Sequence, residues 1–466
     1  MALSKTLVAL TLAAALLPGC AAVQSKPKAA PAVRIDANPF PSTYQRYPGA
    51  LTVVRHATVF DGDGRRIDDG TVVFGDGVIS AVGGPELASP AGAVEIDGTG
   101  KYLTPGVIDI HSHLGVYASP GNSASSDGNE ATSPARPEVW AEHSVWPQDP
   151  GFSRALINGG ITSLQILPGS ANLFGGRSVT LKNVAARTAQ GMKFPGAPYG
   201  LKMACGENPK RVYGFKGNMP ATRMANIAYA RGVWIKAQAY KRKWDKYNRN
   251  GGDMPERDLA MDTLMGVLNG EILIQNHCYR ADEMAQMIDM AKEFGYKITT
   301  FHHAVESYKI ADVLAANGIC SAMWSDWYGF KMESYDAIKE NIPLVHNAGA
   351  CAIVHSDDAN GIQRLNQEAA KALADGHRAG INIADEVAWT WLSSNPAKAM
   401  GIYAMTGSLT PGKMADVVLW NGNPLSNYTR PERVWIDGAE MFDANNPSKR
   451  PVSDFELGQP GEGDVK

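Results

Sequence analysis

Thr104-Pro105-Gly106-Val107-Ile108-Asp109-Ile110-His111-Ser112-His113 decides how this 466-residue chain is read. Val107 to Ile110 is a short apolar run opened by Pro105-Gly106, the mark of a buried strand with a turn before it. Residues i and i+2 on a strand point to one side. His111 and His113 therefore present two imidazoles together at the strand's end, an arrangement able to grip one divalent ion. Alone the pair is a weak signal, because paired histidines are more often structural.

Working outward, the same texture recurs. Short β-runs end at Gly106–Ile110, Ile161–Ile166, Ser178–Leu181, Gly200–Ala204, Ile272–Gln275, Lys297–Thr300, Ile319–Met323 and Cys351–Val354. Helical patterns separate them, which predicts βα units, a parallel sheet and, with eight runs, a closed α/β barrel of the TIM type, (β/α)8. Three of the later runs end as the first does: in His277, in His302-His303, and in His355-Ser356-Asp357-Asp358. Barrel chemistry sits at the C-terminal rim, so these side chains are expected to converge there. Four such coincidences argue for a metal site over scattered structural histidines.

The chain is long enough for a barrel of about 250 residues plus a smaller domain. Its 44% apolar and 20% charged content is ordinary for a globular protein. A formal net charge of -3 argues against a dedicated nucleic-acid binder. The basic cluster Lys241-Arg242-Lys243 reads as a solvated helix face. Residues 51–104 carry β-branched runs separated by Asp61-Gly62-Asp63-Gly64 and Asp68-Asp69-Gly70, and further strands are expected at Ala415–Trp420 and Arg433–Ile436.

The first twenty residues read as an export signal. Lys5 precedes an apolar stretch from Leu7 to Leu17 that is too short for a stable transmembrane span. Leu17-Pro18-Gly19-Cys20 resembles a bacterial lipobox, which would make Cys20 a lipid-anchored N-terminus; an ordinary secretory signal is the alternative. The expected location is periplasmic or membrane-anchored. Residues 21–50, rich in Ala, Pro and Lys, read as a flexible linker, and 446–466 as a polar tail. Cys205, Cys278, Cys320 and Cys351 form no CxxC pair and lie in apolar runs. They are expected to be buried free thiols, Cys320 and Cys351 included.

The stretch Thr104–His113 resembles the signature of the amidohydrolase superfamily. Ser394-Asn395-Pro396-Ala397-Lys398-Ala399-Met400-Gly401 and Gly407-Ser408-Leu409-Thr410-Pro411-Gly412-Lys413 are similar to the helix and turn that close such barrels. Lys202-Met203-Ala204-Cys205-Gly206-Glu207-Asn208-Pro209-Lys210 and His277-Cys278-Tyr279-Arg280-Ala281-Asp282 resemble the narrower imidazolonepropionase-like group. The resemblance implies a barrel over 105–403 and a small β-sandwich domain assembled from 51–104 and 404–445. It also implies one or two divalent ions, zinc foremost, and hydrolysis of amide or cyclic amide bonds, non-peptide or dipeptide-like, in a small-molecule substrate by a metal-activated water. A homo-oligomer is compatible with it. By motif position, His111, His113, His277 and His303 are the expected metal ligands. Asp357 is expected to bind metal and to take the water's proton. The remaining ligand is a choice between Glu207 and a carboxylated Lys202. Glu207 is preferred because it lies just past the strand end, where the rim should be.

The long loop from Ala118 to Asp149 either is disordered or folds over the site. Glu130, Arg177, Arg211 and Arg280 are candidate substrate contacts, since a rim arginine can grip a carboxylate. Two rival functions share the same features: a deaminase on the same scaffold, and a non-catalytic envelope binding protein on a decayed barrel.

Overall fold

The computed structural model describes residues 33–449. The export signal, Cys20, the first part of the linker and most of the tail lie outside the described residues. Five strands precede the barrel: β1 (Thr52–Phe60), β2 (Arg66–Gly75), β3 (Val78–Gly83), β4 (Val94–Asp97) and β5 (Tyr102–Pro105). The barrel strands are β6 (Val107–Ser112), β7 (Ile161–Ile166), β8 (Phe174–Lys182), β9 (Gly200–Ala204), β10 (Leu273–Cys278), β11 (Ile298–His303), β12 (Cys320–Met323) and β13 (Cys351–Val354). β14 (Val417–Trp420), β15 (Pro431–Ile436) and β16 (Ala439–Asp443) complete the strands among the described residues.

The eight barrel strands fall on the eight runs read from the sequence and pair in chain order from β6 to β13. Most are buried on both faces, which is why they read as continuous apolar runs. One direction differs from the expectation. β8 is antiparallel to both β7 and β9. Only Leu167–Leu173 separates β7 from β8, and a parallel crossover needs a dozen residues or more. The register then aligns the chemistry: Lys202 lies opposite Gln275, and His277 opposite His302.

β6 and β13 share no ladder; the seam between them is closed by a buried carboxylate. Asp109 accepts from the backbone of His111 (3.1 Å) and of Ser356 (3.2 Å), and from the Ser356 hydroxyl. The Asp357 amide donates across the seam to the His111 carbonyl at 3.0 Å.

The terminal segments join in one sheet, ordered β16-β15-β14-β5-β1-β2-β3, with β4 pairing the other half of β1's edge. Val54, Val72, Phe74, Leu103, Leu419 and Trp435 form its apolar core. It is locked to the barrel by Lys182, whose side chain is fully buried at the end of β8. Its ammonium lies 2.8 Å from Asp437 and 3.2 Å from Asp416. Thr406 donates to Asp416 at 2.8 Å, and Tyr44 to Asp437 at 2.6 Å. Residues 33–50, read as tether, contain no helix or strand yet are tied down: Arg177 donates to the Ala37 carbonyl (2.7 Å) and Lys193 to that of Phe40 (2.6 Å). The loop 118–149 is folded too. Its Asp149 accepts from Gly115 at 2.8 Å, and Asn172 holds the Glu130 and Ser133 carbonyls at 2.8 Å each. Among the described residues no helix is long and apolar enough to cross a membrane.

The cysteines correct the expectation of free thiols. Cys205 is bonded to Cys278 and Cys320 to Cys351, with Cα separations of 5.2 and 4.4 Å. The reason is register: β12 and β13 place Cys320 directly opposite Cys351, within the span a disulfide bridges. Titration of unfolded, unreduced protein should find none of these four thiols, and all four after reduction; thiols reactive before reduction would refute the pairing. Removing the cation from the buried Lys182 cluster leaves two carboxylates without a counter-charge. Lys182→Met should therefore lower unfolding free energy by about 3–5 kcal/mol. An unchanged urea midpoint would show that the cluster does not lock the sheet to the barrel.

Candidate active site

The rim gathers the predicted histidines. His111 ends β6, His277 sits in β10 and His303 ends β11; each is no more than 2% exposed. His113 and Asp357 are less deeply buried, with side chains 19% and 24% exposed. Asp357 Oδ1 is 3.3 Å from His111 Nε2 and 3.1 Å from His113 Nε2, and Oδ2 is 3.8 Å from His303 Nδ1. His277 packs against His303, ring centroids 4.5 Å apart. Two residues hold unusual backbone: His303 at φ +69° and Asp357 at φ +53°. Each such conformation costs about 1–3 kcal/mol and persists only where its surroundings enforce it. The next residue after His303, Ala304, donates to the Cys278 carbonyl (2.9 Å), and Asp357 donates to His111, so neighbouring strands enforce both.

Hydrogen bonds fix which ring nitrogens carry protons. Burial pushes His111, His277, His302 and His303 well below the usual histidine range, with the Lys202 ammonium adding to the effect for His111 and His302. The rings are therefore neutral. Gln275 donates its amide to the Ala399 carbonyl, so its Oε1 must accept from His302 Nε2 at 2.8 Å. His302 Nδ1 is then an acceptor, taking the proton of His111 Nδ1 at 3.0 Å. His113 Nδ1 donates to the Leu167 carbonyl at 2.8 Å. That leaves the His111 Nε2 as a lone pair facing both the Lys202 ammonium and Asp357 Oδ1, and His113 Nε2 faces the same carboxylate oxygen. Burial would raise the Asp357 carboxyl, but the His113 hydrogen bond and the charges around it, Lys202 included, hold it below its usual range, so near neutrality it is an anion. Two imidazole Nε2 atoms and a carboxylate oxygen with one focus are the donor set of a divalent metal site. The ligand atoms of His111, His113 and Asp357 lie within 4.8 Å of one another, as do those of His111, His303 and His355. His277 Nδ1 and His355 Nδ1 are buried without a hydrogen-bond partner.

The candidates for the remaining ligand separate. Lys202 is 1% exposed, and its ammonium sits 3.2 Å from His111 Nε2; burial lowers it to about 8. Glu207 is not in the cluster. It opens the helix Glu207–Gly214, and its carboxylate faces Lys331 at 3.6 Å. Gly206, at φ +80°, ends the strand segment that carries Lys202, whose amine reaches His111, while Glu207 lies beyond it on the wall of the cavity that also contains His277 and Asp357. The arginines separate as well. Arg177 is buried away from the histidines, bonded to Thr263 (2.8 Å) and stacked 4.0 Å from the Trp140 ring. Arg280 pairs with Asp282 at 2.9 Å. Glu130 is exposed, on the wall of a separate cavity formed by the 118–149 loop. Arg211 alone of the four lines the cavity of about 810 Å³ that contains His277 and Asp357.

Sequence reasoning missed several neighbours. Tyr279 and Trp324 stack on His303, with centroids 5.1 and 4.4 Å away. Trp324 also donates to the Ser356 carbonyl at 3.0 Å. His302 and His355, adjacent to or within the quoted motifs, orient His111 and His303; His355 Nε2 is 3.1 Å from His303 Nδ1. Lys331 carried no signal, because it lies in an irregular loop after β12. Asp358 turns away from the site, accepting from the amides of Asn360 (2.9 Å) and Gly361 (2.5 Å).

Residues 222–451 match the model of the amidohydrolase family. The chain is 30% identical over 434 residues to the amidohydrolase tasK of Hapsidospora irregularis, a match covering 85% of this chain and 43% of that protein. The chain thus spans less than half of that relative's length. It is 25% identical over 401 residues to the imidazolonepropionase of Mesorhizobium japonicum, covering 79% of this chain and 90% of that one. The crystal structure of an amidohydrolase from Thermotoga maritima superposes with a TM-score of 0.78 at 35% identity, over 84% of this chain and all of the other. With that agreement in sequence and fold, and with the histidines and aspartate gathered at its rim, the chain belongs to the amidohydrolase family.

Proposed function

We propose that the protein hydrolyses an amide or cyclic amide bond in a small molecule, non-peptide or dipeptide-like, with Asp357 as the acid–base group. The single observation that carries this reading is the convergence of His111 Nε2, His113 Nε2 and the Asp357 carboxylate, three acceptors with one focus. A divalent ion held there, zinc foremost, would supply the Lewis acidity that lowers the pKa of a water and polarises a carbonyl. His111, His113, His277, His303 and Asp357 would hold one or two such ions. Lys202 is the better bridging candidate than Glu207: its buried amine lies against His111, and a partly neutral amine can take up CO2, losing a proton as the N–C bond of a carbamate forms. Asp357 accepts the water's proton and returns it to the leaving nitrogen as the C–N bond breaks.

The reading extends to location. Export, with or without a lipid anchor at Cys20, accounts for the apolar segment Leu7–Leu17. Two buried disulfides agree with an oxidising compartment.

Protein purified without chelator should contain one or two divalent ions per chain by elemental analysis, and His111→Ala and His277→Ala should each lose metal. Wild-type metal content in both variants would remove the site from these residues. A screen of N-acyl amino acids, dipeptides and cyclic ureides on metal-loaded protein tests the reaction itself. With any substrate so found, Asp357→Asn should lose roughly a hundredfold or more in turnover. Asp358→Asn, which keeps an oxygen able to accept from the Asn360 and Gly361 amides, should stay within about a few-fold of wild type. Equal losses in turnover would mean the acid–base group is misassigned.

A further inference from the structure

We infer that the substrate carries a free carboxylate beside the scissile amide, and that Lys331 and Arg211 bind it on the wall of the metal-site cavity. This rests on the amide-hydrolysis reading and names its substrate class. Lys210, Arg211 and Lys331 line the same cavity as His277 and Asp357. Among the described residues neither Lys210 nor Arg211 has an ion-pair partner.

Lys331 has neighbours but no close hydrogen bond. Its ammonium is 3.4 Å from Asn208 Oδ1, 3.6 Å from Glu207 and 3.5 Å from Glu333. All three distances exceed the usual N–H···O range. Glu333 is already engaged by Arg223 at 2.8 Å and by the Glu207 amide at 2.6 Å. The ammonium rests 3.8 Å over the Tyr279 ring, with its side chain 16% exposed, so it is positioned without being spent.

The location selects the anion. Asn208 reaches from Lys331 to His277 Nε2, 3.5 Å from its amide nitrogen. One side chain therefore separates the ammonium from the metal-site histidines, a gap that a carboxylate adjacent to the reacting amide can bridge. Arg211, on the helix Glu207–Gly214, adds a guanidinium able to bind the same group in two places. Phe215 and Phe330 line this cavity and are 87% and 57% exposed, giving an apolar side chain of the substrate a surface to cover. N-acyl amino acids and dipeptides with a free C-terminus have this chemistry.

The test compares N-acetyl-L-phenylalanine with its carboxamide, and a glycyl dipeptide with its carboxamide, by calorimetry on metal-loaded Asp357→Asn protein, with turnover followed separately on the wild type. Each carboxylate should bind on the order of tenfold or more tighter than its carboxamide, as for a hydrogen bond to a charged group. That preference should fall to near unity in Lys331→Met and weaken in Arg211→Gln, whose exposed position keeps the fold intact. Equal binding of acid and amide, absence of binding by either acid, or a preference that survives both substitutions overturns the inference. Wild-type hydrolysis of acid and amide alike would leave the amide reading standing and remove this one. Selective binding of the acids with no C–N hydrolysis would do the reverse.

Discussion

The site depends on how the barrel closes. First and last strands of a parallel barrel ordinarily meet in a ladder, but here the closure rests on one buried carboxylate, Asp109, gathering two backbone amides and the Ser356 hydroxyl. Burial pushes Asp109 up to about 7 against those bonds, so the seam is built from a group that water would rather keep. The arrangement fixes more than closure. Asp109 belongs to the strand that carries His111, and Ser356 immediately precedes Asp357. The knot that holds the seam therefore also sets the distance between the first-strand histidines and the last-strand aspartate.

From that distance the electrostatics follow. Burial drives the rings of His111 and His302 neutral, the ring protons of His113, His111 and His302 are spent on Leu167, His302 and Gln275, and the Nε2 atoms of His111 and His113 face Asp357, with the Lys202 ammonium beside the first. Left-handed backbone at His303 and Asp357 adds local cost at the same place. A protein that concentrates acceptors and strain at one rim has given up stability there, and the gain is a site organised before any ion or substrate arrives.

Much of this was legible in the residues. Histidine after an apolar run is a local pattern, and four repetitions of it located both the strands and the rim. Pairing was not local. The reversal of β8 follows from the length of Leu167–Leu173, which could be counted but was not weighed against the crossover rule. The disulfides depend on which residue faces which across neighbouring strands, a property absent from a one-dimensional string. Glu207 drew attention through its place after the strand; it lines the cavity and faces Lys331, while the amine of Lys202, within the strand, meets His111. Arg177 and Arg280 were indistinguishable from Arg211 by type; only their partners Thr263 and Asp282 separate them.

The reversed strand has a consequence for how the chain assembles. β7, β8 and β9 form a meander whose neighbours are close in sequence, so its contacts close short loops at small entropic cost. The terminal sheet is the opposite case: β5 pairs with β14 across the whole barrel, Leu103 opposite Leu419. Low contact order favours early formation and high contact order delays it. Lys182 lies where the two regimes meet, at the end of the meander's middle strand, with both of its carboxylate partners in the last part of the chain. During synthesis its charge waits in solvent until Asp416 and Asp437 emerge, so the final docking of the terminal strands is also the moment at which that charge leaves water.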